Sequence, residues 1–371
     1  MNPLKKLGFL SIYLLVIASN GVFLATEGQF TWTGGLFAYL FVPLMDVLIG
    51  RDRSNVAKED FERLMHDPFF DAVVYSLVYV HLVQLVFAAL AFSTYPMSFF
   101  QKQGFIASIG IFSGTMINVA HELGHRSSKV AQFHAKLTLM TVCYYHFFIE
   151  HNRGHHTWVA TPHDPATARK NQSVYAFWWQ SMVGSFKSAW NIEKRRLEKA
   201  QLPVWSLKNG MIWACVLPLA FGGLLVAGVS WGVGRLAWEV VPFFFLQSLV
   251  AVLLLETINY IEHYGILRRE IAPGKYERVN PLHSWNANHI FSNLVLFQLQ
   301  RHSDHHAYAS RPYQVLRHFD ESPQLPFGYP LMILMALVPP LWFRVMNKRL
   351  EEWQAQAYDS GHIMQVVRQF A

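Results

Sequence analysis

Charge is scarce in this sequence. Asp, Glu, Lys and Arg make up 15% of its 371 residues against 52% hydrophobic, where soluble domains carry about 25% charged residues. Cysteine is scarcer still: Cys143 and Cys215 lie far apart in apolar stretches, which excludes a disulfide framework and a CxxC thiolate metal site. No repeat of fixed period and no low-complexity tract divides the chain, so one domain over 1–371 is expected. Lys5 and Lys6 precede an apolar run, as in a secretion signal. That run ends in FLATEGQF without an A-x-A cleavage site, and it reads as a retained first helix.

What the chain has instead is long uncharged runs. The segments 7–26, 31–50, 73–95, 103–120, 211–228 and 238–260 contain no charged residue except Asp46, Glu239 and Glu256. Such lengths match a helix crossing a hydrocarbon core of about 30 Å. The expected fold is all-α integral membrane, with six transmembrane helices. Two shorter apolar stretches are expected to be a re-entrant or half-buried helix (135–149) and an interfacial one interrupted by prolines (328–343).

Positive charge is nearly missing from one side. With these spans, the loops 27–30, 96–102 and 229–237 hold only Lys102 and Arg235 of 31 Lys and Arg. The positive-inside rule then puts both termini in the cytoplasm. Anionic headgroups and an acidic protein partner account for the net charge of +7, and nucleic acid is not needed.

On that same side stand nine of the 18 histidines, in four clusters: His121 and His125 in HELGH, His151, His155 and His156 in EHNRGHH, His263 in NYIEHYG, and His302, His305 and His306 in QRHSDHH. Imidazole is the commonest protein metal ligand, and spacings of three and four share a helix face. Nine ligands overshoot one ion and suit two. They fall just beyond the ends of the apolar segments, forming a histidine-rich cytoplasmic cap. Zinc, copper, iron and nickel all accept imidazole. Glu122, Glu150, Glu262 and Asp304 each neighbour a candidate ligand, and with Asp164 they are candidates to receive its second N–H. Glu262 or Asp164 can also reach a metal directly. His283 and His289 are candidates for a similar supporting role. His66, His81, His134, His146, His163, His318 and His362 are read as structural. HELGH also fits the HExxH of zinc proteases, although that leaves seven clustered histidines unexplained.

At these residues the chain resembles the membrane alkane 1-monooxygenases, within the wider group of integral-membrane histidine-box di-iron enzymes. HELGHR, EHNRGHH, NYIEHYG and LQRHSDHHA carry the likeness, and SWNANH and FVPLMDVLIG extend it from about residue 35 to about 345. The resemblance implies two non-haem Fe ions on the nine histidines, O2 as co-substrate and terminal hydroxylation of an n-alkane to a 1-alkanol. It also implies electrons from NADH through rubredoxin reductase and rubredoxin, a separate protein because this chain lacks the cysteine pairs of a rubredoxin iron site. The expected location is the cell inner membrane. An alkane C–H offers no acidity, so its oxidation requires a redox metal, and zinc has no redox chemistry. Phe37, Ala38, Tyr39 and Phe41 on the second apolar segment are candidate substrate-tunnel residues, with Ala38 leaving room for longer chains. The alternatives are a hydroxylase or desaturase acting on fatty acyl chains or xylene-type methyl groups, and, outside enzymes, a membrane metal transporter or a bis-histidine haem protein.

Overall fold

The computed structural model describes residues 2–356 and 358–369. Its frame is a set of apolar helices: α1 (Pro3–Ala25), α2 (Thr33–Ile49), α3 (Pro68–Thr94), α4 (Phe99–Gly124), α6 (Gly210–Val233) and α7 (Val240–His263), with the amphipathic α5 (Val174–Lys199) inserted between α4 and α6. Five of these, α1, α3, α4, α6 and α7, are long and apolar enough to cross a membrane. The sixth expected span, α2, has 17 residues, the lower limit for crossing. Local chemistry sets the starts. Asp67 accepts from the Phe69 amide ahead of Pro68 in the first turn of α3, Ser98 and Gln101 form a reciprocal capping box on α4, and Asn209 caps α6.

Helix α4 is the central post, buried along nearly its whole apolar length, whereas α1 and α6 bury little of theirs. The principal helix pair is α4 with α7. Gly110 and Gly114 make the approach possible. A Cβ at Gly110 would stand 2.5 Å from Val250 Cβ, and one at Gly114 would stand 2.8 Å from Leu254. This is the small-xxx-small contact by which membrane helices gain packing without a hydrophobic driving force.

Two expected boundaries shift. The helices do not stop with the apolar runs at 120 and 260. They continue to Gly124 and His263, because backbone hydrogen bonding propagates past a change in side-chain polarity. His121 and His263 therefore sit inside the last turns, not beyond the helix ends. The stretch 135–149 is broken: a helix Lys129–Met140 is followed by a turn with Cys143 at φ 55°, then by Phe147–Glu150. The buried Gln247 amide of α7 donates to the Thr141 carbonyl in that turn at 3.1 Å, satisfying backbone far from water. The stretch 328–343 splits before Pro339 into Tyr329–Ala336 and Pro339–Gln354. Tyr329, Met332 and Ala336 are fully buried and their helix packs on α7, so the first half of this segment joins the core, while Val338 and Leu341 beyond it are exposed.

Candidate metal centre

The helix ends bring all nine histidines together in two groups. His121, His125, His151, His156 and His305 form one; His155, His263, His302 and His306 form the other. Four separate elements supply them: the last turn of α4, the run 147–158, the last turn of α7, and the short helix α8 (His302–Ala307). The run 147–158 contains a π turn over His151–His155. In an α-helix His151 would share a face with His155. The wider turn puts it beside His156 instead and sends His155 to the other group.

The ring nitrogens converge. In the five-histidine group, Nε2 of His151 lies 3.1 Å from that of His125 and 3.0 Å from that of His156, which is 3.2 Å from that of His305. In the four-histidine group the Nε2 separations are 3.2 Å (His155–His306), 3.2 Å (His302–His263) and 2.9 Å (His306–His302). Metal–nitrogen bonds of about 2.1 Å place neighbouring ligand nitrogens roughly 3.0–3.4 Å apart. A single Nε2 proton serves one partner, so hydrogen bonding alone does not explain such chains of close nitrogens, and His121 Nε2 is buried with no partner at all. The donor sets fit one metal ion each.

The groups differ in exposure. All of the four-histidine group is buried, while His125 and His156 of the other are partly exposed. Burial pushes His125 down to about 3, with the neighbouring His155 adding to the shift, so the imidazole is neutral, as a ligand must be.

The five acids divide. Asp164 touches a group member from outside: His155 Nδ1 lies 2.9 Å from its Oδ2, which also accepts from Thr167 Oγ1 at 2.6 Å, while Oδ1 accepts from the Ala166 amide at 3.0 Å. Burial opposes ionisation of Asp164, yet the His155 imidazole holds its carboxyl below the usual range. Glu262 touches from inside, its Oε2 3.1 Å from His302 Nε2 and its Oε1 accepting from Tyr329 at 2.7 Å. Glu150 is buried beside Gly154, where a Cβ would collide with it. Burial first, then Asp164, pushes Glu150 up to about 8. Glu122 pairs with Arg126 and Asp304 with Arg317, so these two brace the surrounding elements. His283 meets Glu277 and His289 meets Arg51, and neither supports the centre. Sequence reasoning missed Tyr329, Thr167 and Arg317, single residues whose spacing carries no signal.

An apolar cavity ends at the centre. It is slim, about 70 Å³. Its lining runs from Ile111 to His121 along α4, about 15 Å at 1.5 Å per residue. It meets His121 and His151 of one group and His302 of the other, beside Glu262. Phe37, Ala38 and Tyr39 line it, and the π turn Phe37–Phe41 presents them. Phe41 is not among the lining residues. Its ring packs on Phe37 and Phe291.

A multi-pass helical bundle with two histidine groups at one end defines a membrane-embedded metal-dependent enzyme. The profile of the Fatty acid desaturase family matches residues 102–335. Alkane 1-monooxygenase 1 of Pseudomonas aeruginosa is 45% identical over 84% of this chain and 81% of its own length. Alkane 1-monooxygenase 2 of Alcanivorax borkumensis is 40% identical over 99% and 95%. The xylene/toluene monooxygenase hydroxylase component of Pseudomonas putida is more distant, at 29% over 70% and 68%. The chain belongs to the alkane 1-monooxygenases, which are oxidoreductases. In this setting HELGH supplies two members of a five-histidine group and is not a protease motif.

Proposed function

We propose that this protein hydroxylates the terminal methyl of an n-alkane to a 1-alkanol with O2, at two non-haem iron ions held one in each histidine group. One oxygen atom enters the product and the other leaves as water, at the cost of two electrons and two protons. The iron ions supply the O2 chemistry that an unactivated C–H bond demands.

The observation that carries this is the cavity: its walls are mostly apolar, with Asn118, Asn259 and Glu262 among the polar exceptions, and it reaches histidines of both groups. Its apolar walls exclude water and hold a chain lacking any polar handle, while the opening at His121, His151 and His302 admits its end. Lys and Arg are absent from the lining, so a free fatty acid would bury its carboxylate unpaired, which is costly. This favours an alkane over a fatty acyl substrate. Asp164 keeps His155 in the tautomer whose Nε2 faces the group.

The same proposal assigns the electron donor. The partly exposed His125 borders a polar cavity of about 840 Å³ on which Arg126, Arg153 and Arg311 converge. These arginines pair with Asp71, Glu193 and Asp304, yet basic residues crowd this side of the chain, which suits an acidic rubredoxin supplied by rubredoxin reductase and NADH. The scarcity of Lys and Arg in the opposite loops supports a cytoplasmic position for this face, and we assign the chain to the cell inner membrane. The test is reconstitution of iron-loaded protein with rubredoxin, its reductase and NADH, with product analysis on alkanes from hexane to hexadecane. Primary alcohols and about two irons per chain, one per group, are expected. An iron-replete sample that yields no alcohol from any of them overturns the proposal.

A further inference from the structure

A second cavity, of about 470 Å³, lies beside the first and is not used by the reaction. Tyr144, His146, Phe186, Lys187, Phe245 and Leu249 are among its walls. Phe245 and Leu249 are nearly half exposed on the outer face of α7, a membrane span, so the cavity opens toward lipid. Lys187, exposed on α5, gives it one charged edge.

Two features set it apart from an ordinary lipid-filled groove. The partition between the two cavities is thin. Tyr144 lines the second, Phe147 lines the first at the metal centre, and their rings stack at 5.9 Å. Tyr144 is held there by its hydroxyl, 2.5 Å from Glu256. The second feature is an orphan. His146 is 7% exposed, its ring meets Tyr144 at 4.6 Å and Phe186 at 5.3 Å, and its Nε2 has no hydrogen-bond partner. A buried polar atom left unpaired costs free energy that a ligand can recover. Burial also pushes this imidazole down to about 4, so it is neutral and complements a neutral group that both donates and accepts. An apolar slot with one such atom matches a long-chain primary alcohol.

We propose that the second cavity binds the 1-alkanol after it leaves the metal centre, with His146 Nε2 as the hydroxyl's partner, before the alcohol enters the bilayer. The identity of the alcohol rests on the hydroxylase function above, whereas the site's preference for an alcohol does not. A photoreactive diazirine 1-alkanol and the matching diazirine alkane would be crosslinked to the full chain in lipid nanodiscs, without iron, donor or turnover, and the labelled peptides mapped. The alcohol is expected to label 142–146 and 245–252, and the alkane to label the α4 stretch 111–115. In His146→Phe, alcohol labelling at 142–146 should fall about fivefold, the worth of one hydrogen bond, and His146→Gln should restore part of it. Alkane labelling of α4 in both variants reports that the fold is intact. Equal labelling of the second cavity by both probes in the unaltered protein overturns the proposal. So does alcohol labelling that His146→Phe leaves unchanged, or labelling displaced by anionic phospholipid but not by excess 1-dodecanol. Because no turnover is involved, failure of the hydroxylation assay and failure of this one are separate results.

Discussion

Asp164→Asn tests whether the centre depends on the carboxylate outside it. Among the described residues, Asp164 is the one acid bonded to the outer nitrogen of a grouped histidine. Nδ1 of His263, His302 and His306 has no hydrogen-bond partner. Asp164 is fully buried and accepts three bonds, from His155, Thr167 and the Ala166 amide. An asparagine can turn its oxygen to His155 and Thr167, but its amide then confronts the Ala166 N–H, donor against donor. That mismatch costs about 1–3 kcal/mol of fold stability. The lost charge acts separately, on the metal. Outer partners of this kind are worth 10–100-fold in metal affinity, or roughly 1.4–2.7 kcal/mol. The assay is iron content by mass spectrometry together with thermal melting of metal-stripped and metal-loaded protein. The stripped variant should melt slightly lower, and the stabilisation gained on adding iron should shrink much more. Thr167→Val, which removes one donor and keeps the charge, should barely change the metal-induced shift. If Asp164→Asn binds two irons with an affinity within about twofold of the parent, the outer carboxylate does not tune the site and the reasoning fails.

Three further outcomes follow from the packing. Gly110→Ala should destabilise by about 1–3 kcal/mol, because its Cβ meets the branched Val250 at 2.5 Å, whereas Gly223→Ala on α6, with nothing within 4 Å, should be neutral or stabilising; thermal melting in detergent compares them. Arg317→Ala should cost roughly 3 kcal/mol, since it strips two side-chain bonds from the fully buried Asp304 on α8 and leaves Arg311 at 3.6 Å. Iron should be lost with it, because α8 carries three histidines, and full iron at an unchanged melting temperature would contradict this. Ala38→Trp should shift products toward shorter alcohols by filling a cavity of only about 70 Å³, and an unchanged product profile would remove α2 from the substrate path.

Much of the site is legible in the sequence because its chemistry is periodic. Spacings of three and four mark helix faces, and His121 with His125, and His302 with His306, do share a group. The apolar runs locate the helices because a bilayer imposes a minimum length. Where the sequence misleads, tertiary geometry overrides local period. Glu122 and Asp304 adjoin histidines in sequence yet turn to Arg126 and Arg317, because a residue next to a ligand on a helix points about 100° away from it. Asp164, eight or more residues from every clustered histidine, reaches His155 because the loop after Trp158 folds back. Likewise no spacing rule separates His155 from His151. At four residues apart they belong together on an α-helix, and only the π turn drives them into different groups. The π turn thus divides the ligands of this segment, while α8, helical throughout, divides its own, sending His305 to one group and His302 and His306 to the other. A variant that restores α geometry over 151–155, by deleting one residue of the π turn, should retain the bundle and its melting temperature but misdirect His155 or His156, and its iron content per chain should fall.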